Sequence, residues 1–302
     1  MDDGSVPAPL APARHVFHGK GKAVLRASGN SASFSELSYG YPLKLLSPRT
    51  VVDGPIATVY VLSYGGGLVS GDRIDLEVDV GERCSLLMLT QGFTKVFRAR
   101  GKTISDPSSD GAITRQRLST TIRSQSLLLL LPDPVTCFAR SSYSQIQTFD
   151  LAPSGSAIIL DWFTSGRMSR GEVWELDRYR SVNEIRIDGK RVARDVMLIE
   201  NRTTGQLKRR LAPYGCYATV FLFGPLVQPV LQSLRAQYDT IQQMQLSAPE
   251  PFIWSLSPLE KGDAGILRCA GKETETVRVW LRAALADVGK LVGKDVYDKA
   301  FV

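Results

Sequence analysis

The chain holds little of what catalytic sites and metal cages are usually made from. Among its 302 residues there are two histidines, His15 and His18, and four cysteines, Cys84, Cys137, Cys216 and Cys269, with no close cysteine pair. A structural zinc site announces itself by C-x-x-C or by Cys and His at short range, so none is expected. Isolated cysteines in an intracellular chain read instead as buried thiols packing as small hydrophobes. A Ser-His-Asp or Cys-His centre needs a base held rigidly in a pocket. Both histidines adjoin a loose N-terminal tail, and no G-x-S-x-G elbow occurs. As metal ligands, their H-x-x-H pair lacks a third donor. Long hydrophobic runs are missing too: the longest is Leu127–Leu131, far short of the roughly 20 residues of a membrane-spanning helix. The N-terminus, MDDGSVPAPLAPAR, opens with acidic residues and has no continuous apolar core, unlike a secretory signal or an Arg-rich transit peptide. A soluble cytoplasmic protein without membrane contact is expected.

What is present is globular material. With 43% hydrophobic and 22% charged residues, the chain can bury a sizeable core. Thirty-seven Lys and Arg against thirty Asp and Glu give a net charge of +7. The densest basic stretch, Lys208-Arg209-Arg210, is short, and no basic run interleaves with aromatics. The charge therefore reads as a solvated face, and nucleic acid is not an expected partner.

Residues 1–13 read as a disordered tail and 14–302 as a single β-rich domain. From about Val16 to Glu200, strand follows strand. The clearest is Arg73–Val80, where Ile74, Leu76, Val78 and Val80 alternate with Asp75, Glu77 and Asp79, placing apolar side chains on one face and carboxylates on the other. Further strands are expected at 58–63, 85–90, 95–99, 115–122, 145–151, 157–163, 172–179, 183–188 and, later, 265–269, separated by Gly and Pro turns. Residues 102–111 read as a surface loop. Two helices are expected, near 225–245 and 273–291, from apolar residues at three-to-four spacing. Strands first and helices late exclude a doubly wound sheet.

Gly65-Gly66-Gly67-Leu-Val-Ser-Gly71-Asp72 has the glycine spacing of a phosphate loop, but Asp72-Arg73 and a strand follow where Lys, Ser or Thr and a helix are required. It reads as a tight connection between strands, with close packing around Asp72 as another possibility. Asp161 interrupts the apolar stretch Ala157-Ile-Ile-Leu160 just before Trp162-Phe163. A carboxylate there is costly to bury unless it is paired or meets a cation. The readings are a buried pair with Arg167, a cation site, or an acid/base group. Asp195, followed by Val196-Met197-Leu198, poses the same question. Leu131-Pro-Asp-Pro-Val-Thr136 reads as a rigid structural turn.

In order, these segments, with Thr90-Gln-Gly-Phe-Thr-Lys-Val-Phe-Arg98, Asp161-Trp162, Gly166-Arg167 and Gly171-Glu172, resemble the UreD (UreH) family of urease accessory proteins over roughly residues 15–285. The resemblance implies a mainly β fold of β-helix-like stacked sheets with two helices near the C-terminus. It implies a non-catalytic scaffold that binds UreF, which recruits the GTPase UreG, the assembly docking on apo-urease. It implies no tightly bound cofactor. UreG hydrolyses the GTP and carries nickel, and the UreD-like chain guides it in transit through an internal channel lined by acidic residues. Matched by motif, those are Asp72, Asp161 and Asp195. Gly67, the tail and the loop near Lys102 depart from the family pattern. The rival reading is a hydrolase using Asp161 and Asp195 as an acid/base pair.

Overall fold

The computed structural model describes residues 17–48, 54–98, 113–201, 206–241, 251–259 and 263–301. The expected tail and the 102–111 loop lie outside these residues. The N-terminal strands are β1 (His18–Ser28), β2 (Ser31–Tyr39) and β3 (Leu43–Leu46). Next the chain winds between two sheets. It passes through β4 (Ile56–Ser63) in the second sheet, β5 (Arg73–Val80) in the first, then β6 (Ser85–Leu89) in the second. After the short β7 (Thr94–Val96), β8 (Thr114–Ile122) returns to the first sheet and β9 (Leu127–Leu130) to the second. After the short β10 (Val135–Cys137), the same alternation gives β11 (Ser142–Leu151), β12 (Ser156–Thr164) and β13 (Arg178–Ile187).

Within each sheet these winding strands are parallel and stack in register, as in Ile74–Gln116 and Gln116–Gln145. The result is the expected β-helix-like stack, and its sheets do not close. β1 pairs in parallel with β5, and β2 covers β1. At the far end β14 (Lys190–Glu200) folds back on β13 through Asp188-Gly189. Both turn residues have positive φ, 53° and 72°, as a two-residue type I′ hairpin requires.

The second sheet continues past β12 with antiparallel β15 (Cys216–Phe223), β17 (Ala264–Gly271) and β16 (Phe252–Pro258). Its outer face is covered by helices, so the sheet is buried on both sides. The strands therefore carry continuous apolar runs rather than alternating ones. In β12, Ala157, Ile159 and Phe163 face the core between the sheets, while Ile158, Leu160 and Trp162 face a second core under the helices. The four leucines of β9 divide the same way.

Five helices lie among the described residues, α1 (Gln206–Leu211), α2 (Gln228–Tyr238), α3 (Thr274–Ala284), α4 (Val288–Val292) and α5 (Lys294–Tyr297), and the two expected near the C-terminus are the long ones, α2 and α3. The expected helix near 225–245 begins as a 3-10 turn at Pro225–Val227 and becomes α-helical only at Gln228. The helix expected over 273–291 breaks after Ala284 and resumes at Val288. The strand expected at 172–179 is also corrected: β13 starts at Arg178, and the preceding residues form an irregular loop. Trp174 and Leu176 are buried there without a ladder, and Trp174 sits at φ 59°. The indole instead donates to the Tyr214 carbonyl at 3.0 Å. All four cysteines are buried free thiols.

On the outer face of the first sheet, Asp79 receives Arg26 at 2.6 Å and Arg123 at 2.8 Å. Mainly Arg123, and then Arg26, hold its carboxyl at about 2. A depressed carboxylate stabilises the fold above its unfolded value, and that contribution is lost as pH falls from near 4 toward 2. The arginines are half exposed, so solvent screening leaves about 1 kcal/mol. Asp79→Asn is expected to lose this at neutral pH and to show a shallower decline in stability below pH 4, read by urea unfolding across pH.

Candidate functional site

Asp161 lies on β12 with the parity of Ile159 and Phe163, so its carboxylate enters the space between the sheets. There β11 and β13 present polar side chains where a core would ordinarily carry apolar ones. Gln145 Nε2 donates to Oδ1 at 2.7 Å, Ser181 Oγ to Oδ2 at 2.6 Å, and Asn183 Nδ2 to Oδ2 at 2.7 Å. The Tyr179 hydroxyl donates over a longer 3.4 Å. Tyr143 donates to Gln116 and, at 3.1 Å, to Gln145. Burial drives both phenols well above their ordinary range, so they stay protonated donors.

Every described donor to Asp161 is neutral. The expected pair with Arg167 does not form: Arg167 binds Glu172, with Nε–Oε2 at 2.8 Å, and lies over the Phe138 ring. Burial is the largest influence on the Asp161 carboxyl and raises it above the ordinary aspartate value. Hydrogen bonds from Ser181, Asn183 and Gln145 oppose the rise, and the Asp195 charge adds a small push upward. The sign follows from linkage: the folded protein binds this proton more tightly than the unfolded chain, so its stability contribution falls as pH rises through the raised value. At neutral pH the ionised group is a cost that a nearby cation would relieve.

The carboxylate meets a cavity of about 110 Å³, also lined by Gln116, Gln145, Gln147, Thr94 and Trp162, room for a few water molecules. A larger groove of about 760 Å³ shares Leu89, Thr90 and Asp133 with it and reaches Asp298 and Lys299 near the C-terminus. Asp133 belongs to the Pro-Asp-Pro turn. It accepts from the Gly92 N–H at 2.8 Å and Thr90 Oγ1 at 3.2 Å, and burial raises its carboxyl. The turn is thus structural, as expected, and also forms the shared wall of both spaces.

Asp195 projects inward from β14 opposite Asn183 in the β13–β14 ladder, which brings it near Asp161. It is held by Arg268 of β17 at 2.7 Å, so it is not a free base beside Asp161, and the acid/base reading gains no support. Asp72 is buried elsewhere and does not line the cavity. Its Oδ2 accepts from the Val69 N–H at 2.9 Å, its Oδ1 has no hydrogen-bond partner, and burial raises its carboxyl. Gly67 places Leu68 against β7, where an added Cβ would lie 2.6 Å from the Phe97 ring and 2.8 Å from the Lys95 carbonyl. His18 pairs with Asp75 at 2.6 Å on the surface, and His15 lies outside the described residues.

Among the described residues, no three His, Cys, Asp or Glu side chains gather to hold a metal ion. A cation entering the cavity would meet two carboxylates, Asp161 and Asp133, amid neutral oxygens, with Arg117 also on the wall, a looser set of donors than a thiolate or imidazole cage. Nor is any described helix long and apolar enough to cross a membrane.

A family model described as "UreD urease accessory protein" matches residues 18–297. Urease accessory protein 4 of Cryptococcus neoformans var. grubii is 39% identical over 98% of each chain. Urease accessory protein D of Arabidopsis thaliana is 32% identical over 92% of this chain and 99% of its own. Urease accessory protein UreD of Sorangium cellulosum is 35% identical over 85% and 76% respectively.

Proposed function

Because the chain belongs to the UreD family of urease accessory proteins, we propose that it is a non-catalytic cytoplasmic scaffold that works with UreF and the GTPase UreG to deliver nickel to apo-urease. GTP hydrolysis belongs to UreG, and nickel is cargo in transit rather than a resident cofactor. One observation carries the reading: Asp161 is an interior, half-buried carboxylate facing a cavity, with neutral hydrogen-bond donors and no described cationic partner. Sites of this kind are costly to the fold and concentrate where function needs them. Carboxylate and neutral oxygen donors with no thiolate or imidazole among them suit passage of a borderline cation, whereas thiolate or imidazole cages would retain it.

The two spaces meeting at Thr90 and Asp133 support an internal route from Asp161 toward the surface. Asp195, beside Asp161, would add negative potential to that route. Asp72 enters the proposal through its place in the family motif alone, because it lies apart from the cavity.

The test is activation of apo-urease with nickel, bicarbonate, GTP, UreF and UreG, with and without this chain. Active urease is expected only when the chain is present. Equal activity in its absence would overturn the reading, and substrate turnover by the isolated chain would restore the hydrolase alternative.

A further inference from the structure

We propose that β14 is a self-recognition edge, through which two copies of the chain pair antiparallel about a twofold axis centred on Met197. β14 is an end strand of the first sheet, 11 residues long, and among the described residues β13 is its one ladder partner. An edge of that length leaves a row of backbone donors and acceptors open, which natural proteins shorten, charge or cover. The opposite edge, β2, presents Ser31, Ser33, Ser35 and Ser38 to solvent. β14 presents Val192, Val196 and Leu198, which are 45%, 51% and 51% exposed.

The apolar character extends inward from the edge. Val196 is in register with Val182 of β13, which is in register with Ile146 of β11. These residues form a stripe on the outer face of the sheet, and Val182 is buried there although its neighbours in sequence face the core. A stripe ending at an unpaired edge is completed when another strand carries it onward.

The sequence of β14 specifies what that strand is. Antiparallel self-pairing centred on Met197 sets Val196 opposite Leu198 of the second copy, and Leu198 opposite its Val196. On the same face Arg194 then stands opposite Glu200, and Glu200 opposite Arg194. Apolar meets apolar at the centre and opposite charges meet at both ends, the pairings that stabilise adjacent strands. Such self-complementarity is what a twofold interface demands, since each residue must suit its counterpart on the same patch. Both charged residues also have partners within the chain, Glu184 for Arg194 at 3.6 Å and Arg178 for Glu200 at 3.2 Å, so the cross-copy contacts would close one charge network. The inference rests on β14 alone and is independent of nickel transfer.

Sedimentation of the full chain tests it. The unmodified chain is expected to dimerise. Arg194→Glu sets Glu against Glu at both ends, and Glu200→Arg sets Arg against Arg. Each alone is expected to raise the dissociation constant at least about tenfold, from two pairs turned repulsive. Mixed one to one, the two variants restore opposite charges at both ends and are expected to form a heterodimer close to the unmodified affinity. Unchanged thermal unfolding and circular dichroism would show that each variant folds. The proposal is overturned if the unmodified chain stays monomeric at roughly 100 μM. It is also overturned if the single variants dimerise undiminished, which would place the contact elsewhere, or if their mixture stays monomeric.

Discussion

Asp161→Ala is expected to lower the yield of active urease in the reconstituted activation reaction by at least about tenfold, the lower end of what loss of even an outer-sphere partner costs a metal site. The fold should survive, because two effects oppose each other. Gln145, Ser181 and Asn183 lose their acceptor, at about 1–3 kcal/mol for a donor left unsatisfied. Against this, the ionised carboxylate, whose burial is costly, is gone. The vacated space adjoins the cavity, so water can serve the freed donors. Asp161→Asn separates charge from shape: the side chain keeps its size, the neighbouring amides can turn to suit it, and activation should still be lost. Full activation by Asp161→Asn would sink the transit role. The same carboxylate gives a pH signature. Because burial raises its affinity for protons, acid should compete with nickel at a higher pH than at an exposed aspartate, and the Asn variant should lack that dependence.

The largest loss of stability is expected from Trp162→Ala. The indole is fully buried in the core beneath the helices, its ring meets Phe301 at 6.5 Å between centroids, and its Nε1 donates to the Pro132 carbonyl at 2.7 Å. Truncation removes its packing, leaves a void and frees the carbonyl that steadies the Pro-Asp-Pro turn, a cost of about 3–5 kcal/mol. Denaturant unfolding should show it as a lowered midpoint. Trp162→Phe retains most of the ring and should lose roughly 1–2 kcal/mol, chiefly the hydrogen bond. If the two variants unfolded alike, the void would be filled by collapse of Phe301 or its neighbours.

How far these features could be read in advance follows from side-chain periodicity. β5 was legible because it is buried on one face, so its carboxylates and aliphatics alternate. β9 was not, because leucines facing two cores read the same as a piece of buried helix. The segment at 172–179 misled for a related reason: Trp174 and Leu176 alternate as strand residues do, but they fill the core from an irregular loop with a positive φ. Asp161 stood out because a charge broke an apolar run. Gln145, Ser181 and Asn183 did not, since a polar residue inside a strand signifies nothing until the register shows which way it points. That register places all three around one carboxylate, although they come from strands separated in sequence. It also moved Asp72 away from Asp161, which no local motif could have indicated.

The winding order of the strands has a consequence for how the chain is made. Each parallel turn rests on the one before it, with the exposed rim of one layer serving as template for the next, so the stack can lengthen while the polypeptide leaves the ribosome. Asp161 is synthesised before Ser181 and Asn183, and both arrive only with the last turn, β13. Until then a nascent chain carries a charged side chain on an unfinished rim, open to water and to any passing ion. The pocket is closed by the final act of winding, so a truncation upstream of β13 would leave the earlier layers able to stack but with no enclosed route past that carboxylate.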